Sequence, residues 1–211
     1  MTITWFGQSC FRIESKEGSI LIDPFSKELG LRPPKIKDDI VLVTHAHWDH
    51  NNIEGANEES LLITNPGEYE RKGISVRGII SYHDNTQGSE RGYNTIYVIR
   101  AEEMTICHLG DLGQQVLSDT QVEEIGDVDV LLVPVGGVYT IDHKEAVHVI
   151  SQIEPKIIVP MHYKVPGLSV ELESVEKFIK EAGLSAERVE KIKIAKKTLP
   201  VEETKLMIPQ L

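Results

Sequence analysis

Short apolar runs, many of them rich in β-branched and aromatic residues, set the pattern of the first half of the chain. Thr2–Phe6, Cys10–Glu14 and Ser19–Ile22 read as strands, the last two separated by a Lys16-Glu17-Gly18 turn. Ile40–Val43 is apolar without alternation, the pattern of a strand covered on both faces. Leu61–Thr64, Ile74–Ser81, Thr95–Ile99, Met104–Cys107, Val130–Val133 and Lys156–Val159 continue the series. Helical periodicity is confined to Asp119–Ile125, His143–Ile153 and Val170–Lys180, the last with Ser169 as N-cap and Gly183 as stop. Two strands, about Val189–Ile194 and Thr204–Ile208, close the chain.

These elements repeat. Phe11 to Pro24 runs strand, charged turn, apolar strand, Asp, and Tyr97 to Asp111 does the same. Each is followed by an Asp and an apolar strand: Asp39 before Ile40–Val43, and Asp129 before Val130–Val133. A helix-sized gap and a further strand complete each unit. The pattern predicts two similar β-rich halves packed face to face with helices outside. No low-complexity stretch or linker divides residues 1–211, so a single domain is expected.

Charge narrows the choice of partner. The 22 Lys and Arg against 33 Asp and Glu give a net charge of −11, which disfavours a protein built to grip nucleic-acid backbones. It does not disfavour a small anionic substrate, because a metal can reverse the field inside one cleft. The longest apolar run, Val130 to Val138, is broken by Pro134 and two glycines and falls short of the roughly 20 residues of a membrane span. Without an apolar leader, and with only Cys10 and Cys107 as unpaired, strand-embedded thiols, a cytoplasmic protein is expected.

The strongest chemical signal is Thr44-His45-Ala46-His47-Trp48-Asp49-His50, directly after an apolar strand. His45, His47, Asp49 and His50 are four metal-ligand types within six residues, too many for one cation to use comfortably. The spacing therefore hints at two adjacent metals. His83, Asp111 and His162 each follow a strand, where sites in sheet-based enzymes gather.

Together, THAHWDH and the later His83, Asp111 and His162 resemble the metallo-β-lactamase superfamily. Asp23, WFGQSC, PGEYE, HLGDLG, PVGGVYT and PMHY narrow the resemblance to its compact branch of metal-dependent hydrolases related to ascorbate-6-phosphate lactonase. The resemblance implies an α/β fold, a four-layer αβ/βα sandwich of two similar halves. It implies one cation on His45, His47 and His83, another on Asp49, His50 and His162, and Asp111 bridging them. The cofactors implied are two divalent metal ions, zinc foremost, with manganese or iron as alternatives. One departure is Gln8: relatives commonly read Trp-Phe-Gly-His there, and a glutamine can hydrogen-bond but not relay a proton.

The expected activity is hydrolysis of a small ester, lactone or phosphodiester by a hydroxide shared between the metals, with Asp49 binding its cation and moving or directing the proton. The alternative is an iron-dependent oxidoreductase on the same fold. Among the remaining candidates, Asp23 is expected as a carboxylate beneath the metals and His108 as a support for Asp111. Asp84 either orients His83 or caps the following turn. His143 and His148 read as surface or capping residues, and Tyr139, Thr140, Arg91 and Lys164 lie on loops that can meet substrate or solvent.

Overall fold

In the computed structural model, which describes residues 1–211, the chain first runs through β1 (Thr2–Gly7), β2 (Cys10–Glu14), β3 (Ser19–Ile22), β4 (Ile40–Leu42) and β5 (Leu61–Ile63). There follow β6 (Gly67–Arg71), β7 (Ile74–Tyr82), β8 (Tyr93–Ala101), β9 (Met104–His108), α1 (Asp119–Ile125), β10 (Val130–Pro134), α2 (His143–Ile153) and β11 (Ile157–Met161). The chain ends with α3 (Val175–Ala182), β12 (Ala186–Val189), β13 (Ile192–Lys193) and β14 (Lys205–Pro209). Six strands form one sheet, ordered β13-β1-β2-β3-β4-β5, and eight form the other, ordered β12-β14-β11-β10-β9-β8-β7-β6.

The expected repeat is present as matching strand pairing. In the first sheet β1–β2–β3 are antiparallel and β3–β4–β5 parallel; in the second β7–β8–β9 are antiparallel and β9–β10–β11 parallel. The two aspartates do the same work in each half. Asp39 Oδ2 accepts the Ser19 N–H at 2.9 Å, and Asp129 Oδ2 accepts the Thr105 N–H at 2.9 Å, each tying the start of one strand to the start of its parallel neighbour. Between the sheets lies one apolar core, to which Trp5, Phe11, Ile20, Ile22 and Leu42 contribute from the first and Tyr97, Ile106, Leu132 and Val159 from the second. Burial at about 25 cal/mol per Å² is the force that holds the layers together.

Helices α1, α2 and α3 all belong to the second half. Ser118 and Asp142 cap α1 and α2 through capping boxes with Gln121 and Glu145. In the first half the gap between β4 and β5 carries no α-helix, because its residues are spent on the polar loop that begins at Thr44. The outer face of the first sheet is covered instead by Phe25 and Leu29, which pack on Cys10 and Leu21.

Three boundaries differ from the sequence pattern. The helix foreseen from Val170 starts at Val175, because Lys164 N–H donates to Glu173 O and Glu173 N–H to Gly136 O, both at 2.9 Å, holding the preceding residues extended. The run about Val189–Ile194 is two strands in different sheets, β12 beside β14 and β13 beside β1. β6, polar and exposed on alternate residues, is an edge strand without an apolar signature. Cys10 and Cys107 are buried and unpaired, and burial pushes both thiols up, as expected for inert side chains. No helix is long and apolar enough to cross a membrane.

Asp129 also receives Lys156 Nζ at 2.6 Å and Lys196 Nζ at 3.2 Å. Burial works to raise its pKa, but these donors and the Thr105 N–H outweigh it and lower the value. We expect Asp129→Ala to destabilise the protein by about 1–3 kcal/mol at pH 7, and Asp39→Ala, at a more exposed position, by less. Because the folded pKa is depressed, the Asp129 contribution is present above its unfolded value of about 3.9 and disappears as pH falls through the folded one. Urea unfolding of wild type and variant should therefore converge as pH is lowered from 5 to 3 (roughly, from the same pKa values).

Candidate metal centre

Every candidate ligand sits just past the carboxyl end of a strand: His45, His47, Asp49 and His50 after β4, His83 after β7, Asp111 after β9 and His162 after β11. The structure brings all seven together. Three groups have ligand atoms within 4.8 Å of one another: His45, His47 and His83; His45, His50 and Asp111; Asp49, His50 and His162. Asp111 Oδ2 lies at their centre, 3.1 Å from His162 Nε2, 3.2 Å from His50 Nε2, 3.4 Å from His83 Nε2 and 4.0 Å from His45 Nε2.

The imidazoles are turned by a buried hydrogen-bond set. Asp23, fully buried, accepts the Thr44 N–H on Oδ1 and the Thr44 hydroxyl on Oδ2, both at 2.8 Å. Its Oδ2 also faces His50 Nδ1 at 3.0 Å. The Thr44 hydroxyl proton is committed to Asp23, so its lone pair takes the His45 Nδ1–H at 2.9 Å. Both rings therefore carry their proton on Nδ1 and aim Nε2 inward, the arrangement a cation needs. Those two Nε2 atoms are buried and have no hydrogen-bond partner, an orphaned pair that a metal would satisfy. The donor set, five imidazoles and two carboxylates, suits zinc, manganese or iron.

Asp111 is held in the same way. Ser9 Oγ donates to Asp111 Oδ1 at 3.0 Å, leaving Oδ2 for the histidines, and the Asp111 N–H donates to Asn94 Oδ1 at 3.0 Å. His108 acts one step further out than expected: its Nδ1 accepts the Gly110 N–H and its Nε2 reaches Ser9 O at 2.9 Å, steadying the residue that holds Asp111. Gln8 Nε2 stands 2.9 Å from Asp49 Oδ2. Gln8, Asp23 and His162 all adopt left-handed backbone conformations, with φ of 50°, 48° and 52°. Strain of this kind is kept where surrounding contacts over-determine it.

Charge is concentrated at the centre. Burial lowers the His45 and His47 pKa values, and neighbouring imidazoles lower them further. Burial alone would lower His50 too, but Asp111 and Asp23 on its two sides raise it well above the usual range. For Asp111 burial opposes ionisation, and His162 and His50 overcome it to hold the carboxyl well below its usual value. Asp49 follows the same balance, with burial outweighed by His50, and comes down to about 2.

Two motif glycines allow the ligand loops to close. A Cβ on Gly136 would lie 2.0 Å from the His162 carbonyl oxygen, and one on Gly113 would lie 2.3 Å from the His83 carbonyl carbon. Asp84 does not reach His83. It caps the following loop through the Thr86, Gly88, Glu90 and Arg91 N–H groups, whose donation overcomes the opposing effect of burial and holds its carboxyl well below the usual range. His143 opens α2 beside Glu173, and His148 is exposed. Tyr139 lines the cavity over the candidate ligands with Arg91 stacked 5.0 Å above its ring, whereas Thr140 and Lys164 do not line it. Nothing in the sequence signals Asn94, and Ser9 and Thr44 stand there only as neighbours of more conspicuous motif residues.

Comparison with known proteins places the chain in a family. The family model described as "Beta-lactamase superfamily domain" matches residues 2–162, a span containing all seven ligand candidates. A UPF0173 metal-dependent hydrolase of Salinibacter ruber is 31% identical over 213 residues, covering 87% of this chain and 94% of that protein. Another, from Pyrobaculum islandicum, is 32% identical and covers 77% of this chain and 84% of its own length. Among solved structures, a candidate Zn-dependent hydrolase of the metallo-β-lactamase superfamily from Thermotoga maritima superposes with a TM-score of 0.81 at 38% identity, over 99% of this chain and 98% of that one.

Two outcomes test the centre itself. Cations and protons compete for the same imidazole and carboxylate atoms, so metal uptake should release protons and weaken as pH falls. Titration calorimetry in buffers of different ionisation enthalpy measures this; an uptake with no proton release would contradict it. Gly136→Ala should displace His162 and lower metal retained per chain by at least about tenfold in affinity, while a surface change such as His148→Ala leaves it unchanged.

Proposed function

The chain belongs to the β-lactamase superfamily domain family, and from that premise we propose that it is a hydrolase that works through two divalent cations, zinc foremost. One is assigned to His45, His47 and His83, the other to Asp49, His50 and His162, with Asp111 between them. The observation that carries this reading is the single oxygen, Asp111 Oδ2, set within 3.1–4.0 Å of four imidazole nitrogens. When bound, such cations supply a nucleophile at neutral pH by acidifying water and polarise the oxygen of the bond to be cleaved.

The chain's own residues do the rest. Asp49, ionised down to about pH 2, is a base rather than an acid; its place on the cavity wall suits it to direct the attacking water and take its proton. Trp48, Tyr139 and Val170 form an apolar rim that limits water at the reacting bond, and Arg91 keeps the Tyr139 ring in place. The cavity is about 180 Å³, below the roughly 300 Å³ at which drug-sized ligand pockets begin. That size, with a net charge of −11, supports a small-molecule substrate (an ester, lactone or phosphodiester) rather than a nucleic acid.

Metal analysis of protein purified without chelators, paired with hydrolysis of chromogenic esters, lactones and phosphodiesters, tests the reading. Two equivalents of zinc or manganese and turnover of one substrate class are expected. One iron per chain with no hydrolysis would overturn it. Asp111→Ala should lose at least one equivalent and most activity, and Asp23→Ala should weaken metal affinity by roughly 10–100-fold through the released His50 and Thr44. His143→Ala should leave metal content unchanged.

A further inference from the structure

Gln8 stands at the tip of the turn between β1 and β2, with its side chain buried against the metal cluster. The tip is fixed: the Gln8 carbonyl accepts Trp5 Nε1–H at 2.9 Å and the His162 N–H at 3.1 Å. One terminal atom of the carboxamide lies 2.9 Å from Asp49 Oδ2 and 2.8 Å from His162 Nε2. The other, Oε1, is buried without a partner. A buried amide oxygen left in that state is costly, so the side chain has an unmet reason to be there.

The distances identify the reason. His50 Nε2 lies 3.4 Å from Asp49 Oδ2 and 3.2 Å from Asp111 Oδ2, and His162 Nε2 lies 3.1 Å from Asp111 Oδ2. Ligand atoms held about 2.1 Å from one cation stand about 3.0 Å apart in an octahedron and about 3.4 Å apart in a tetrahedron. These separations are the size of the edges of a coordination polyhedron, and the Gln8 amide stands at similar spacing from Asp49 and His162.

Electrostatics decides which amide atom faces inward. Beside the Asp49 carboxylate alone, the NH₂ group is preferred. Beside a cation, NH₂ presents positive charge to positive charge, whereas the carbonyl oxygen is a ligand of the kind divalent metals accept. Exchanging the two requires only a half-turn about the terminal torsion, with no movement of the fixed backbone.

We propose that Gln8 Oε1 ligates the cation assigned to Asp49, His50, His162 and Asp111, and that the carboxamide turns over as this cation enters. The inference rests on the two-cation reading and adds a ligand from the β1–β2 turn.

The experiment uses the full chain stripped of metal, as wild type, Gln8→Leu and Gln8→Glu, titrated with Co²⁺ while affinity is followed by chelator competition and coordination by visible absorption. Wild type should take two equivalents. Gln8→Leu should weaken one of them by more than about tenfold, leave the other unchanged, and alter the absorption of the weakened one as its coordination number drops. Gln8→Glu, which keeps an oxygen in place, should bind that equivalent at least as tightly as wild type. Wild-type affinity and spectrum in Gln8→Leu would overturn the inference. So would Gln8→Glu as weak as Gln8→Leu, which would mark the loss of N–H donation to Asp49 instead; this arm decides the matter even if the Leu variant does not fold. If wild type takes a single equivalent, the two-cation reading fails, and the Gln8 assignment is judged by whether Gln8→Leu shifts the spectrum of that one ion.

Discussion

A carboxylate without access to water must find its hydrogen bonds inside the protein, and Asp23 finds them on the loop that carries the histidine motif. By accepting from Thr44 twice and from His50 once, it fixes the first turn after β4, the protonated nitrogen of two rings and, through them, the direction in which their free nitrogens face. An unpaired charge at that depth would cost several kcal/mol, so the loop and the aspartate specify each other. Further along the loop, His47 and Asp49 inherit their positions from that first turn.

The second half answers with a carboxylate of its own, positioned by different means. Asp111 is held through Ser9, from the turn at the far end of β1, and through Asn94 of β8. One anion thus belongs to the scaffold and the other to the centre. Five imidazoles converge on the carboxylates of the centre, a donor set of the kind that holds divalent cations.

Much of this was legible in the sequence because its signals are local. Apolar runs marked the strands, and a polar, ligand-type residue soon after each run marked the centre, since strand ends are where a buried backbone turns to face a shared cleft. The repeat of Asp39 and Asp129 could be read because both precede a strand in the same way. The rest depends on neighbours distant in sequence. Ser9 matters only because the β1–β2 turn meets Asp111, 102 residues away, and His108 only because Ser9 is there. The start of α3 was misplaced for the same reason: Val170–Ser174 has helical periodicity, yet the Gly136 carbonyl and the Lys164 N–H claim its backbone first. The helix-sized gap of the first half holds no α-helix because residues that serve the centre fill it.

Each ligand group draws on both halves of the molecule. His45 and His47 come from the first half and His83 from the second; His45 and His50 meet Asp111 across the same division; Asp49 and His50 meet His162. Neither half of the repeat, folded alone, contains a complete set. A cation in any of these positions would therefore be a rivet through the seam between the two sheets, coupling the loading of the centre to the fastening of the sandwich. Removing the metal leaves the two layers to their apolar contact and to scattered hydrogen bonds such as Thr95 N–H to Thr44 O. With cations bound there, the chemistry and the cohesion of the protein would weaken together on their removal.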